Sequence, residues 1–268
     1  MGAIGRRNQP PPFQARLRRW AERVAHFVVT TVIEKKLTCQ VDGKTQINTL
    51  YLPDAEGPVP GVLVLSDILG LGDHAHERAR RIADLGYAAL AFDLHGDGAA
   101  VDIPTALSEL QNFYAHPQGP LSRTEAALKL FCDEPMVDAD RLAAIGFCYG
   151  GTLALEMMRS GVPLSAVVGF HSVLRSSITW TPENLSGKVL VCVGAEDPEI
   201  PPEQRQAFEA EMRRTKADWQ LHLYGGVYHS FTDWRADQAG LPDFARYDAV
   251  ADRRSWQAME DVLSDALK

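Results

Sequence analysis

The sequence has few cysteines and no cysteine pair of the kind that binds zinc. Its four cysteines, Cys39, Cys132, Cys148 and Cys192, are far apart, and no two of them form a CxxC pair. This spacing excludes a zinc-finger arrangement. A disulfide framework is typical of much shorter, secreted chains. We therefore expect reduced thiols, a cytoplasmic location, no metal site and no cofactor.

The sequence also lacks an excess of positive charge and a long apolar run. Its 27 basic and 35 acidic side chains give a net charge of −8, which argues against nucleic acid as a partner. No apolar run approaches the roughly 20 residues that span a bilayer, so we expect no stable membrane insertion. Residues 37–268 contain no internal repeat and no linker, which predicts one domain there.

Residues 1–36 are predicted to be an N-terminal extension. Charged residues interrupt its apolar residues until Phe27, which is unlike a secretory signal. We expect a disordered start and then an amphipathic helix, because apolar residues recur there at helical spacing. These are Phe13, Leu17, Trp20, Val24 and Phe27. The helix is expected to pack on its own domain or on a partner subunit, with a membrane-surface helix as the alternative.

Strand-like and helix-like segments alternate along residues 37–268. The predicted strands are 37–41, 47–52, 58–66, 88–92, 142–147, 164–170, 188–193 and 219–224. The predicted helices are 74–85, 104–114, 122–131, 149–159, 202–214 and 245–266. This alternation predicts an α/β fold with a mostly parallel, doubly wound sheet and helices on both faces. In such sheets, chemistry takes place at the carboxyl ends of the strands.

Cys148 stands in the stretch GFCYGG, between a predicted strand and a predicted helix. The serine form of this Gly-x-Cys-x-Gly pattern is a sharp turn that carries a nucleophile. Its glycines allow the turn to close around a strained residue, and the start of the following helix increases the thiolate fraction of a cysteine. The alternative is a small buried residue with no chemical role.

An acid and a histidine follow two later predicted strands. Asp197 comes just after strand 188–193, although Glu196 and Glu199 compete for the same role and helix capping is an alternative. An acid there can fix the tautomer of an imidazole. His229 follows strand 219–224, where a lone histidine would more often be a surface residue. The chain order nucleophile, acid, histidine is the order found in α/β-hydrolases.

The chain from about Leu37 to Leu267 resembles the dienelactone hydrolase family of α/β-hydrolases. The resemblance rests on GFCYGGTLALEMMRSG, GAEDPEIPPEQRQAF, YHSFTD and SDILG. It implies one α/β-hydrolase domain with little or no lid. It also implies that Cys148 is the nucleophile, that His229 is the general base and acid, and that Asp197 orients His229.

The resemblance assigns further residues around the thiol. The backbone N–H groups of Ile68 and Tyr149 would form the oxyanion hole. Asp67 stands where the family has a glutamate that interacts with the resting thiol, with a turn cap as the alternative role. Sequence position, and not the resemblance, adds His171 after strand 164–170 and Tyr228 next to His229 as residues expected near the thiol or the substrate pocket; the alternative for His171 is a loop cap.

The substrate is expected to be a small neutral ester or lactone. Dienelactone-cleaving members of the family hold a carboxylate with arginines, whereas this chain has Asp97 and Asp233 near those places. We expect a monomer or a homodimer that needs no cofactor. The alternatives are a non-catalytic binding module on the same fold and an acyl hydrolase of the thioesterase or peptidase type.

Overall fold

A computed structural model of the chain describes residues 32–176, 178, 180, 185, 187–215 and 217–268. The helix predicted within residues 13–27 lies outside this described part. The first strand begins at Ile33, ahead of the predicted domain boundary at residue 37. The turn signal at Asp42 and Gly43 forms the predicted hairpin turn, in which both residues have positive φ, +53° and +75°.

One sheet organises the described residues, and its strand order is β1-β2-β4-β3-β5-β6-β7-β8. The strands are β1 (Ile33–Val41), β2 (Lys44–Leu52), β3 (Val59–Leu65), β4 (Ala88–Phe92), β5 (Val137–Phe147), β6 (Ala166–Phe170), β7 (Lys188–Gly194) and β8 (Trp219–Tyr224). The β1–β2 and β2–β4 pairs are antiparallel, and all pairs from β4 through β8 are parallel. This confirms the predicted mostly parallel α/β sheet.

The central strands are apolar on both faces because helices cover both. The helices are α1 (Asp73–Asp84), α2 (Ile103–Ala115), α3 (Gln118–Cys132), α4 (Tyr149–Arg159), α5 (Pro202–Thr215) and α6 (Ala249–Ala266). One apolar core contains side chains of α2 to α5, and the other contains side chains of α1 and α6. In the part of the chain that the structure describes, none of the helices has the length and apolar character needed to cross a bilayer.

The closing helix begins at Ala249, so the predicted start at residue 245 is wrong. Asp248 caps this helix, since its Oδ1 accepts the N–H groups of Val250 and Ala251 at 2.9 and 2.8 Å. Ala245 forms an isolated parallel bridge with His229 instead of a helical turn. The residues before the helix therefore support the loop that carries His229.

A buried ion pair connects α1, α6 and that same loop. The Arg78 side chain is only 1% exposed, and its Nη2 lies 3.0 Å from Asp252 Oδ1. The same nitrogen donates to the Thr232 carbonyl at 2.6 Å. The guanidinium also lies 5.3 Å from the ring centroid of Trp256. These contacts place a fixed positive charge beneath the loop after β8.

Replacing Asp252 with alanine is expected to lower the free energy of unfolding by roughly 3 kcal/mol, because it leaves the Arg78 charge buried without its main partner. Urea denaturation followed by circular dichroism measures this change. The control is Asp133→Ala, which removes an exposed pair with Lys129 (2.9 Å) and should cost less than about 1 kcal/mol. Equal losses in the two variants would contradict a structural role for the buried pair.

Candidate active site

The turn between β5 and α4 holds Cys148 in a strained backbone conformation, with φ +52° and ψ −121°. Two neighbouring glycines make this turn possible. A Cβ on Gly146 would lie 2.3 Å from the Gly150 carbonyl oxygen, and a Cβ on Gly150 would lie 2.1 Å from the Ser66 carbonyl oxygen. No larger residue fits at either place. The turn presents Cys148 at the amino end of α4, where the helix dipole favours a thiolate.

Three side chains that follow strands β5, β7 and β8 meet at this turn. The Cys148 sulfur lies 3.2 Å from His229 Nε2, and His229 Nδ1 lies 2.7 Å from Asp197 Oδ2. A carboxylate only accepts hydrogen bonds, so Nδ1 carries a proton and donates it to Asp197. His229 and Asp197 are buried, whereas Cys148 keeps some exposed surface. The arrangement can deliver a proton to, or remove one from, a group bound at the sulfur.

The surroundings of His229 favour its protonated form. Burial by itself would lower its pKa, but a negative charge on the Cys148 sulfur and the hydrogen bond to Asp197 outweigh burial and raise the pKa well above its ordinary value. The backbone of His229 is fixed as well, because its N–H donates to the Phe244 carbonyl and its carbonyl accepts from the Arg246 N–H, both at 3.1 Å. These contacts hold the imidazole ring between Cys148 and Asp197.

The resemblance assigns two backbone N–H groups, those of Ile68 and Tyr149, to an oxyanion hole. Within the described part of the chain, neither the Ile68 N–H nor the Tyr149 N–H has an acceptor. The close approach of Ser66 to Gly150 brings the segment after β3 against the first turn of α4. His95 Nε2 donates to the Ile68 carbonyl at 2.8 Å and so steadies that segment. The arrangement is compatible with the expected oxyanion hole.

Asp67 lies beside this group, and its Oδ1 accepts the Leu69 N–H at 2.8 Å. The residue keeps some exposed surface, but its carboxyl group is enclosed, and burial raises its pKa to about 6. Asp233 raises the pKa further, whereas Arg235 and His229 lower it. Asp67 thus caps a turn, which is the alternative role that the sequence left open.

The acids expected to repel a substrate carboxylate lie in different surroundings. Asp233 Oδ1 and Oδ2 accept from Arg235 Nε and Nη2, both at 3.0 Å, so the pair carries no net charge. This ion pair lowers the pKa of Asp233 despite partial burial, which acts in the opposite direction. Asp97 is exposed, and its N–H donates to the Thr45 carbonyl at the β1–β2 hairpin. The sequence did not indicate that the charge of Arg235 neutralises the charge of Asp233.

His171 lies against the Cys148 turn, but its side chain is too buried to line a substrate pocket. The side chain is fully buried beneath the Cys148 turn, with φ +42°. Its Nδ1 accepts the Cys148 N–H at 3.1 Å, and its Nε2 lies 2.9 Å from Thr232 Oγ1. Burial holds the pKa of His171 well below its ordinary value. His171 is therefore a neutral link between the Cys148 turn and the loop that carries His229.

The half-buried Tyr228 ring packs against Arg246, whose guanidinium lies 4.2 Å from the ring centroid. A cavity on the other side of Cys148 is lined by residues that sequence reasoning missed. Tyr114 and Arg175 are among them. Tyr114 fell within a predicted helix, and Arg175 followed a predicted strand. No sequence pattern around Tyr114 or Arg175 indicated a functional role, because only tertiary packing brings them to the site.

Comparison with known proteins adds a family match and several relatives. The model of the family described as the dienelactone hydrolase family matches residues 48–267. A Bradyrhizobium protein named probable 2-oxo-3-(5-oxofuran-2-ylidene)propanoate lactonase is 26% identical over 200 residues, which are 71% of this chain and 80% of that protein. The hydrolase tropI of Talaromyces stipitatus is 26% identical over 223 residues, which are 79% of this chain and 85% of that protein.

A solved structure gives a more similar match. The crystal structure of the dienelactone hydrolase-like promiscuous phosphotriesterase P91, from metagenomic libraries, superposes with a TM-score of 0.81 and 40% sequence identity. The match covers 88% of this chain and 99% of that chain. The two proteins therefore share their fold over most of both chains.

Proposed function

Because the chain belongs to the dienelactone hydrolase family, whose members hydrolyse esters and lactones, we propose that it cleaves a small neutral ester or lactone by acyl transfer through Cys148. The observation that carries the proposal is the line of contacts from the Cys148 sulfur through His229 to Asp197. A thiolate next to an imidazolium, at the amino end of a helix, is an activated nucleophile.

The first half of the reaction forms a thioester. The Cys148 thiolate attacks the carbonyl carbon, and the Ile68 and Tyr149 N–H groups bind the oxygen that becomes negative. The carbon–oxygen bond to the alcohol then breaks, and the departing oxygen takes the proton from His229 Nε2. Asp197 stabilises the imidazolium before this transfer and holds the ring in place afterwards. The products of this half are the free alcohol and the acylated cysteine.

The second half restores the thiolate. Water attacks the thioester carbonyl and gives a proton to the now neutral His229, and the carbon–sulfur bond breaks to release the acid. The reaction consumes one water, and no group is oxidised or reduced. These residues and water are therefore sufficient for the proposed reaction. A lactone follows the same steps, except that acid and alcohol leave as one molecule.

A neutral substrate fits the charges around the sulfur. Asp67 places a carboxylate near His229, and the Asp233–Arg235 pair has no net charge. On the His229 side of the sulfur, the arginines of the described chain already have partners. Arg78 is bound to Asp252, and Arg235 to Asp233. On that side a substrate carboxylate would lie near the Asp67 carboxylate, and neither of these arginines would be free to bind it.

A substrate panel tests this proposal. We expect kcat/KM for a neutral ester or lactone to exceed that for its carboxylate-bearing analogue by roughly tenfold. A neutral phosphotriester belongs in the panel because P91 is named for that activity. A thioester and a peptide belong there because the same residues serve other acyl hydrolases. Preference for the carboxylate-bearing lactone would refute the neutral-substrate argument, and turnover of the peptide alone would refute the ester assignment.

A further inference from the structure

A cavity of about 480 Å³ lies among α2, α3, α4 and the segment that follows β6. Its volume is in the range that holds a small organic group. Six of its lining residues define its character: Phe113, Tyr114, Leu121, Tyr149, Leu153 and Arg175. Three of these have aromatic rings. Phe113 stacks on Tyr149 at 5.4 Å between centroids, and Tyr114 meets Tyr149 edge to face at 5.7 Å.

The cavity adjoins the nucleophile. Tyr149 directly follows Cys148, so one residue supplies both a wall of the cavity and an N–H group near the sulfur. Cys148 itself packs against the apolar core that contains Phe113, Tyr149 and Leu153. Burial raises the pKa of the Tyr114 phenol to about 12, and the nearby Cys148 charge adds to the increase. A group bound at the sulfur can therefore reach the cavity.

The position of His229 decides which half of an ester occupies the cavity. His229 must reach the departing oxygen, so the alcohol half lies on its side of the sulfur. The cavity is lined by α2, α3, α4 and residues 175–176, and none of its lining residues comes from the loop that carries His229. The acyl half therefore points away from His229 and toward the aromatic walls.

The Glu156 carboxylate, one of the polar groups of the cavity, already has partners. Glu156 accepts from Arg159 and from the Ser176 hydroxyl, both at 2.7 Å. The Arg175 guanidinium lies 5.6 Å from the ring centroid of Tyr114, where it packs against that ring. The surface left for a ligand is mostly aromatic and aliphatic. Stacked and edge-to-face rings of this kind favour a flat aromatic group.

We propose that this cavity is the acyl-group subsite and that it selects esters with an aromatic or similarly flat apolar acyl group. The proposal rests on the proposed ester hydrolysis through Cys148. It assigns Tyr114 as a specificity residue, because among the three aromatic rings that line the cavity it has the largest exposed surface (42%). A small acyl group such as acetyl would leave the cavity unfilled.

The test compares acetyl and phenylacetyl esters of the same nitrophenol. For the unaltered protein we expect kcat/KM to be roughly tenfold or more higher for the phenylacetyl ester. Tyr114→Ala should reduce this phenylacetyl-to-acetyl ratio roughly tenfold, since one aromatic wall is lost. The matched control is Leu107→Ala, which removes an exposed apolar side chain of the same helix that does not line the cavity. The control should leave the ratio unchanged.

A second series, ethyl and benzyl esters of acetic acid, separates the two halves of the substrate. If Tyr114→Ala changes the benzyl-to-ethyl ratio and leaves the phenylacetyl-to-acetyl ratio intact, the acyl assignment is overturned. An unaltered protein that prefers the acetyl ester also overturns it. The proposed function fails separately, if no ester is hydrolysed or if Cys148→Ala hydrolyses all of them at the normal rate.

Discussion

Replacing Cys148 with alanine is expected to lower ester hydrolysis by roughly 10⁴-fold or more. The sulfur is the atom that would form the thioester, and alanine has no atom there to attack the carbonyl. The N–H groups of Ile68 and Tyr149 would remain, so some substrate binding should persist. Steady-state rates with a nitrophenyl ester, at enzyme concentrations high enough to detect slow turnover, measure the loss.

The matched control is Cys132→Ala, because Cys132 is also a partly buried free thiol but lies at the end of α3. Burial raises the pKa of Cys132 and raises that of Cys192 to about 12, so both thiols are protonated at neutral pH. The control should keep full activity. Comparable losses in the two variants would point to a general effect of removing a thiol and away from a nucleophile at position 148.

Asp197→Asn is expected to lower kcat/KM by roughly 10³- to 10⁴-fold and to move the alkaline limb of the pH–rate profile to lower pH. Asp197 helps to raise the pKa of His229, and its removal lowers that pKa. The protonated imidazole supplies the proton for the departing alcohol, and this form is lost as pH rises through the pKa of His229. A lower pKa therefore brings the loss of activity to a lower pH.

Profiles of kcat/KM between about pH 6 and pH 10 measure both effects. The matched control is Glu196→Gln, since Glu196 is an exposed acid adjacent to Asp197 and was its competitor in the sequence. The control should keep both the rate and the profile. An unchanged alkaline limb in Asp197→Asn would show that the carboxylate does not act through His229.

Local sequence patterns predicted much of the fold. Strand β4, helix α4 and strand β8 begin and end at the predicted residues, because apolar runs and glycines mark their limits. Helix α6 was placed too early, since the bridge between Ala245 and His229 is a contact between distant segments. The spacing of Cys148, Asp197 and His229 predicted that they would meet, because parallel strands end at one edge of a sheet.

The environment of these three residues was harder to predict. His171 follows a strand in the same way as Asp197 does, but its ring lies beneath the Cys148 turn and binds Thr232. Arg235 neutralises Asp233 only because the loop folds back on itself. The aromatic cavity is assembled from three helices and a loop, and no periodicity in one segment indicates it. Side-chain direction and helix packing decide such features.

Trapping the acylated enzyme tests the central claim most directly. The protein is mixed with a nitrophenyl ester whose bulky acyl group should leave the enzyme slowly. The reaction is stopped with acid, and mass spectrometry of the digested protein locates the acyl group. We expect one acyl group, attached to Cys148 as a thioester that hydroxylamine removes, and no adduct in Cys148→Ala. Steady release of nitrophenol with Cys148 unmodified, or an acyl group on another residue, would contradict catalysis through the Cys148 sulfur.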